Sequence, residues 1–332
     1  MRKRSELAFA LLACMTALVP VDVHAFCRTR TDSTKARQSG GQPDADGCYG
    51  TGPELFWRNR CISYEIYGTP RSVAPDKTAQ IIAAAFAKWT QTSCEVDENA
   101  GSNPDARISI DVRDLGETQC KKAGKGDGTP EQSGYSREGP NQNAIAFRND
   151  IWPYRKEGDT PDQVSSTLGL TTVTYNENGE IMDADMELNT IDTQVSVDVI
   201  GPNDYDLASI ITHEAGHFLG IAHSNDATAT MFAEYQRGET RKQFLKLDDI
   251  RAICDAYQPG GLRFSGGKDY QPTACDPTPS GGIQRTCDDD GGGCNVHSTR
   301  DDATWVPMSA LSMSALVFAL RRRFRARATD RS

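Results

Sequence analysis

Histidine is scarce in this sequence: five occur in 332 residues, and two of them, His24 and His297, lie near the ends. Whatever imidazole chemistry the folded body performs must come from the remaining three. No CxxC pair occurs among the ten cysteines, which excludes a cysteine zinc cluster and a thioredoxin-like dithiol. There is no internal repeat, so a solenoid or propeller is excluded too. Long apolar runs are confined to the two termini. Positive charge is lacking: the formal charge is −10, and because residues 1–25 carry +1 and residues 295–332 carry +4, the body between them stands at −15. A body of that sign repels phosphates, so no nucleic-acid partner is expected.

The ends have a different texture. Met1-Arg2-Lys3-Arg4 is followed by a largely apolar stretch from Leu7 to Val21 and by the small residue Ala25. Residues 1–25 therefore read as a signal peptide, with a mature start near Phe26 and the body outside the cytoplasm. A competing reading takes Leu11-Leu12-Ala13-Cys14 as a lipidation site; Leu12 and the apolar residues beyond Cys14 fit it poorly. Setting aside Cys14 and Cys294 leaves Cys27, Cys48, Cys61, Cys94, Cys120, Cys254, Cys275 and Cys287. An even number in an exported chain predicts disulfides, although the spacing selects no connectivity.

Residues 26–47 are polar and read as an irregular lead-in. Cys61 to Tyr67 alternates like a strand and stops at Gly68-Thr69-Pro70. Ile81, Ile82, Ala85, Phe86 and Trp89 recur at helical spacing within 78–90. Further strands are expected at 107–112, 143–147, 171–175 and 181–188, with a turn at 176–179, and further helices at 206–220 and 246–257. The order of elements predicts an α+β domain over 48–258. Residues 259–293, rich in Gly, Pro and Asp, read as a linker, and residues 294–332 as a C-terminal tail.

The chemistry is concentrated in His213-Glu214-Ala215-Gly216-His217-Phe218-Leu219-Gly220-Ile221-Ala222-His223. Asp206 is placed to cap the helix, and Leu207, Ile210, Ile211, Phe218 and Leu219 give it a buried side. Residues four apart on a helix stand on one face, so His213 and His217 can both reach one Zn²⁺ at about 2.0–2.1 Å. Glu214 is offset by one position, beside the metal and free to take a proton from water. Gly220 can end the helix in the left-handed conformation and return the chain so that His223 becomes a third ligand. Three protein ligands leave a position open, which marks a catalytic site. All three histidines of the body fall in this one motif, a clustering for which scattered core histidines have no reason.

HExxHxxGxxH resembles the metzincin motif, and Ser224 after the third histidine is typical of matrixins. Ala229-Thr230-Met231-Phe232 resembles the Met-turn beneath the metal, with Met231 as its methionine. Where matrixins usually have Met-Tyr-Pro, this chain has Met231-Phe232-Ala233, so the wall of the S1′ pocket is expected to differ. Ala84 to Trp89 resembles the first helix of the family and Leu247-Asp248-Asp249-Ile250 with Tyr257 the closing one. Ile181 to Leu188 resembles the edge strand along which substrate lies, so Asp185, Met186, Glu187 and Leu188 are candidate substrate contacts. The resemblance covers about residues 58–258 and implies a twisted mixed sheet with an active-site helix and a C-terminal helix. It also implies a zinc endopeptidase acting on protein or peptide substrates, with Glu214 as catalytic base. A non-catalytic surface binding or adhesion protein on the same fold is the alternative; such proteins often lose the glutamate or a ligand, and here all four residues are intact. No Pro-Arg-Cys-Gly propeptide motif is present, and no histidines remain for a second zinc. Cys27 could in principle block the metal, but a disulfide is its expected role. Calcium near Asp183 and Asp185 is a further expectation, surface charge being the usual reason for such residues.

The tail has a resemblance of its own. Gly291-Gly292-Gly293-Cys294, an apolar run from Ala303 to Leu320 and Arg321-Arg322-Arg323 resemble the tripartite sorting tails of myxobacterial surface proteins. Sorting machinery would then read the tail and process the chain at Cys294; a retained single membrane anchor is the alternative. Mass spectrometry of the exported chain is expected to find an N-terminus near Phe26 and, if the tail is processed, a C-terminus near Cys294. An intact Met1 would refute the signal reading.

Overall fold

The computed structural model describes residues 26–97, 101–102, 106–118, 135, 141–154, 167–280 and 282. The signal reading at 1–25, Cys14, Cys120, Cys287 and the tail from Cys294 lie outside the described residues. In chain order the principal elements are α1 (Ser33–Gln38), β1 (Cys61–Tyr67), α2 (Pro75–Thr90), β2 (Asp111–Glu117), β3 (Ala144–Arg148), β4 (Gly169–Tyr175), β5 (Ile181–Asn189), α3 (Leu207–Phe218), α4 (Leu247–Ala256) and a hairpin of β6 (Arg263–Ser265) with β7 (Lys268–Tyr270). The five longer strands form one sheet in the order β2-β1-β3-β5-β4. Its first four strands run parallel and β4 runs antiparallel to β5. The α+β expectation holds. Among the described residues no helix is long and apolar enough to cross a membrane.

Period-two alternation decides what β1 touches. Ile62, Tyr64 and Ile66 join the main core, where the Tyr64 ring stacks on Phe86 of α2 with centroids 5.1 Å apart. Phe86 in turn meets Phe218 of α3 edge-on at 5.1 Å. The indole of Trp89 is fully buried and donates from Nε1 to the Thr212 carbonyl at 2.8 Å, which fastens α2 to α3. Both helices thus lie on one face of the sheet, with Pro75 opening α2 at the position where its missing N–H matters least.

Cys61 and Ser63 face the other way, and there the linker reading of 259–293 fails. Residues 259–280 are part of the folded body. Arg263 is completely buried; its guanidinium donates to the carbonyls of Trp57 (2.9 Å), Gly261 (2.9 Å) and Ser109 (2.8 Å), and to Ser109 Oγ (2.6 Å). Residues 273–280 then run as a strap over β1. Thr273 N donates to Arg58 O at 3.1 Å, Ser63 Oγ donates to Pro277 O, and Cys275 is joined to Cys61. Such a segment needs no apolar periodicity, because side chain-to-backbone bonds and a disulfide hold it.

The lead-in at 26–47 is likewise incorporated. Cys27 pairs with Cys48, and Cys94, just after α2, pairs with Cys254 in α4. Residues 27–29 lie against 220–222: Thr29 N donates to Gly220 O at 3.0 Å and Ala222 N to Cys27 O at 2.9 Å. Six of the eight expected cysteines are thereby paired. Replacing Cys61 and Cys275 together by serine is expected to lower unfolding free energy by roughly 2–5 kcal/mol. Denaturant melts unchanged from the wild type would show that the strap is not stapled by this bond.

Candidate metal centre

The helix that carries the site is fixed at both ends. Asp206 accepts from Ser209 N at 3.0 Å, satisfying one orphan donor of the first turn, and from Ser209 Oγ at 2.6 Å. At the other end Gly220 adopts φ +87°, Gly220 N donates to His217 O and Ile221 N to Gly216 O, both at 2.9 Å. Those two bonds form a Schellman turn, which reverses the chain toward His223. Gly216, in mid-helix, has a different reason: a Cβ there would lie 2.3 Å from Met231 Sδ and 2.8 Å from Trp89 Cζ2. The missing side chain admits Met231 to the helix between His213 and His217.

The three histidines converge, with candidate ligand nitrogens all within 4.8 Å of one another. His213 Nδ1 donates to Thr230 O at 2.7 Å and His217 Nδ1 to Ile221 O at 2.8 Å. A carbonyl only accepts, so these bonds fix the proton on Nδ1 and leave Nε2 with a free lone pair. His217 Nε2 and His223 Nε2 stand 3.1 Å apart. Tetrahedral ligands at about 2.0–2.1 Å from zinc would stand roughly 3.3 Å apart, so the donor set fits that ion. Desolvation holds all three imidazoles neutral: His217 is pushed down to about 4, and His213 and His223 well below the ordinary value, with the neighbouring His217 pushing each further down.

Glu214 is almost fully buried, and that burial lifts its carboxyl to about 7 against the lowering effects of the Thr171 hydrogen bond and the Lys242 charge. Thr171 Oγ1 on β4 donates to Glu214 Oε2 at 2.7 Å. Lys242, also buried, donates from Nζ to Thr230 O at 3.2 Å and to Phe232 O, with the Tyr235 ring 4.3 Å from its ammonium. Desolvation pushes that ammonium down to about 7. The Tyr235 ring lies 5.2 Å from the His213 ring.

The turn beneath the histidines hangs from α4. Asp249 accepts from Thr230 N (2.8 Å), Met231 N (3.0 Å) and Lys246 N (2.7 Å), while its neighbour Asp248 accepts from Ser224 Oγ at 2.6 Å. Ser224 N donates to Met231 O at 2.9 Å. Thus the predicted His213, Glu214, His217, His223 and Met231 come together. Thr171, Lys242 and Tyr235 are additions that the sequence reading missed, since a lone threonine, lysine or tyrosine far from the motif carries no pattern.

The edge-strand expectation is overturned. Asp185, Met186, Glu187 and Leu188 lie on β5, which is paired on both sides, and all four are buried. Asp185 accepts from Ala144 N at 2.8 Å, and Glu187 is held by Arg148 and Tyr154. The resemblance placed the substrate edge on this strand, whereas its carboxylates at Asp185 and Glu187 meet partners within the fold. The edge strand next to α3 is β4. Asp183 and Asp185 are therefore neither in a loop nor on the surface, and among the described residues the three histidines are the one converging group of metal-binding type.

A family model described as matrixin matches residues 56–258. Human matrix metalloproteinase-27 is 45% identical over 76 residues, which are 22% of this chain and 14% of that protein. Matrix metalloproteinase-C of Caenorhabditis elegans is 27% identical over 254 residues, 74% of this chain and 36% of its own length. Human neutrophil collagenase is 36% identical over 75 residues, 23% of this chain and 16% of its own. The chain spans about a third or less of these relatives.

The charge states have a consequence for the metal-free protein. The imidazoles' folded values lie below the ordinary 6.5, so their contribution to stability is complete above that pH and is lost as pH falls. Glu214, raised from 4.5 to about 7, acts in the opposite sense between those values. The three imidazoles outnumber Glu214 and the likewise raised Asp249, so the melting temperature of the metal-free chain is expected to fall as pH drops from 6.5 to 4.5. A flat or rising profile by calorimetry would contradict the neutral-imidazole assignment.

Proposed function

The chain belongs to the matrixin family, and on that premise we propose that it is a zinc-dependent endopeptidase cleaving extended protein or peptide substrates outside the cytoplasm. One observation carries the proposal: three neutral imidazole nitrogens converge beside a buried carboxylate that is not one of the converging ligands. His213, His217 and His223 would hold the ion, which when bound supplies a Lewis acid that polarises a carbonyl and acidifies water. Glu214 then has the work of a proton carrier. Its carboxylate removes the proton of the attacking water and delivers it to the leaving amine nitrogen, and a value near 7 suits both directions.

Substrate would lie along β4, whose outer edge is unpaired among the described residues, by strand addition. Met231 packs into the gap at Gly216 and gives the histidines an apolar floor. Phe232 and Ala233, which follow Met231, would form part of the S1′ wall, and Tyr235, its ring 5.2 Å from that of His213, would stand close to the metal. The three disulfides support an extracytoplasmic setting, as do the export and sorting signals read in the terminal sequences.

Glu214→Ala is expected to retain zinc yet lose cleavage of casein or gelatin by at least about 10²-fold, whereas His217→Ala should lose both metal and activity. Metal content and a chelator-controlled protease assay check the pair. Full activity in the Glu214 variant would sink the mechanism.

A further inference from the structure

We propose that Thr171 is a positioning residue for the catalytic carboxylate, with Gly169 as the gap that admits it; the inference rests on the peptidase reading above. Residues two apart on a strand face the same side, and both of these face Glu214. Thr171 Oγ1 donates to Glu214 Oε2 at 2.7 Å, and both side chains are buried. A Cβ built on Gly169 would stand 2.9 Å from Glu214 Oε1 and 3.0 Å from its Cδ. The strand therefore grips one carboxylate oxygen and makes room for the other.

Each half of that grip has a physical reason. The terminal torsion of a glutamate is broad, so an unanchored carboxylate turns through many orientations. Threonine is stiff about χ1, and of the two acceptors its hydroxyl meets, Oε2 at 2.7 Å is closer than the Glu214 carbonyl at 3.3 Å, so Oε2 takes the stronger bond. Oε1 is then the oxygen left to meet the attacking water. Because β4 is also the edge strand of the groove, the residue that offers its backbone to substrate offers its side chain to the base. Peptide and proton acceptor are thus registered to one piece of backbone.

The test compares zinc-loaded wild type with Thr171→Val, Thr171→Ser, Gly169→Ala and Glu214→Ala on one peptide substrate, with kcat and KM resolved and zinc content and melting temperature recorded. Thr171→Val keeps the shape and removes the donor; kcat is expected to fall about tenfold, the size of one hydrogen bond to a charged group, with KM within about twofold. Thr171→Ser should regain most of kcat, and Gly169→Ala should lose it as the valine variant does. Crystals of the metal-free valine variant should show the Glu214 carboxylate displaced. Wild-type kcat in Thr171→Val, or an equal loss in the serine variant, would overturn the assignment, the latter by making the role one of packing. Should the valine variant not fold, Thr171→Ala removes the same donor and is read by the same criteria. A wild type that cleaves nothing would fail the peptidase reading instead, and the carboxylate position in the crystals would still decide whether Thr171 holds it.

Discussion

Everything at the centre hangs on one buried carboxylate. Asp249 accepts from three backbone N–H groups, two on the turn beneath the histidines and one at the start of α4. An ionised side chain is costly to bury unless its acceptors are used, and here they are used on the segment that needs placing. Through it Thr230 is held so that its carbonyl can take the Nδ1 proton of His213. Met231 is held so that its sulfur fills the space Gly216 leaves. Asp248 extends the same hold to Ser224, next to the third ligand. The placement of the converging histidines is thus referred to helix α4.

A single cause also sets the charges. The apolar surroundings that keep three imidazoles neutral are the ones that lift Glu214 and lower Lys242. Ligands must be deprotonated to bind a cation, and a base that must both take and return a proton is best placed near neutrality. Desolvation serves both needs at once. Lys242 is the counterpoise: its ammonium pulls the carboxyl downward while lending donors to Thr230 and Phe232.

The parts legible in the sequence were those governed by local periodicity and capping. Asp206, the apolar side of 207–218 and Gly220 located the site helix to within two residues at each end. The strand at 61–67 and the helix ending at Thr90 were equally plain. What failed had non-local causes. The resemblance placed the substrate edge at 181–188, but that strand is interior to the sheet, with Asp185 bonded to Ala144 N and Glu187 to Arg148 and Tyr154. Residues 259–280 have too few apolar side chains to suggest a fold, and are held by a guanidinium, backbone bonds and Cys61–Cys275. Thr171 sits in a run of ordinary strand residues, and only the sheet's position beside α3 makes its hydroxyl matter.

The lead-in described at 27–29 bears on how the two ends of the folded body are held together. Those residues lie on the stretch that joins His217 to His223, and the strap's cystine links partners 214 residues apart. Contacts of such span carry a loop-closure cost that local ones do not. The HExxH helix is built from local bonds, whereas the strand against which the His223 segment is laid comes from the opposite end of the folded body. A single backbone cut anywhere between 61 and 275 would leave both pieces joined through the strap's cystine, so a nick there would not by itself release either piece.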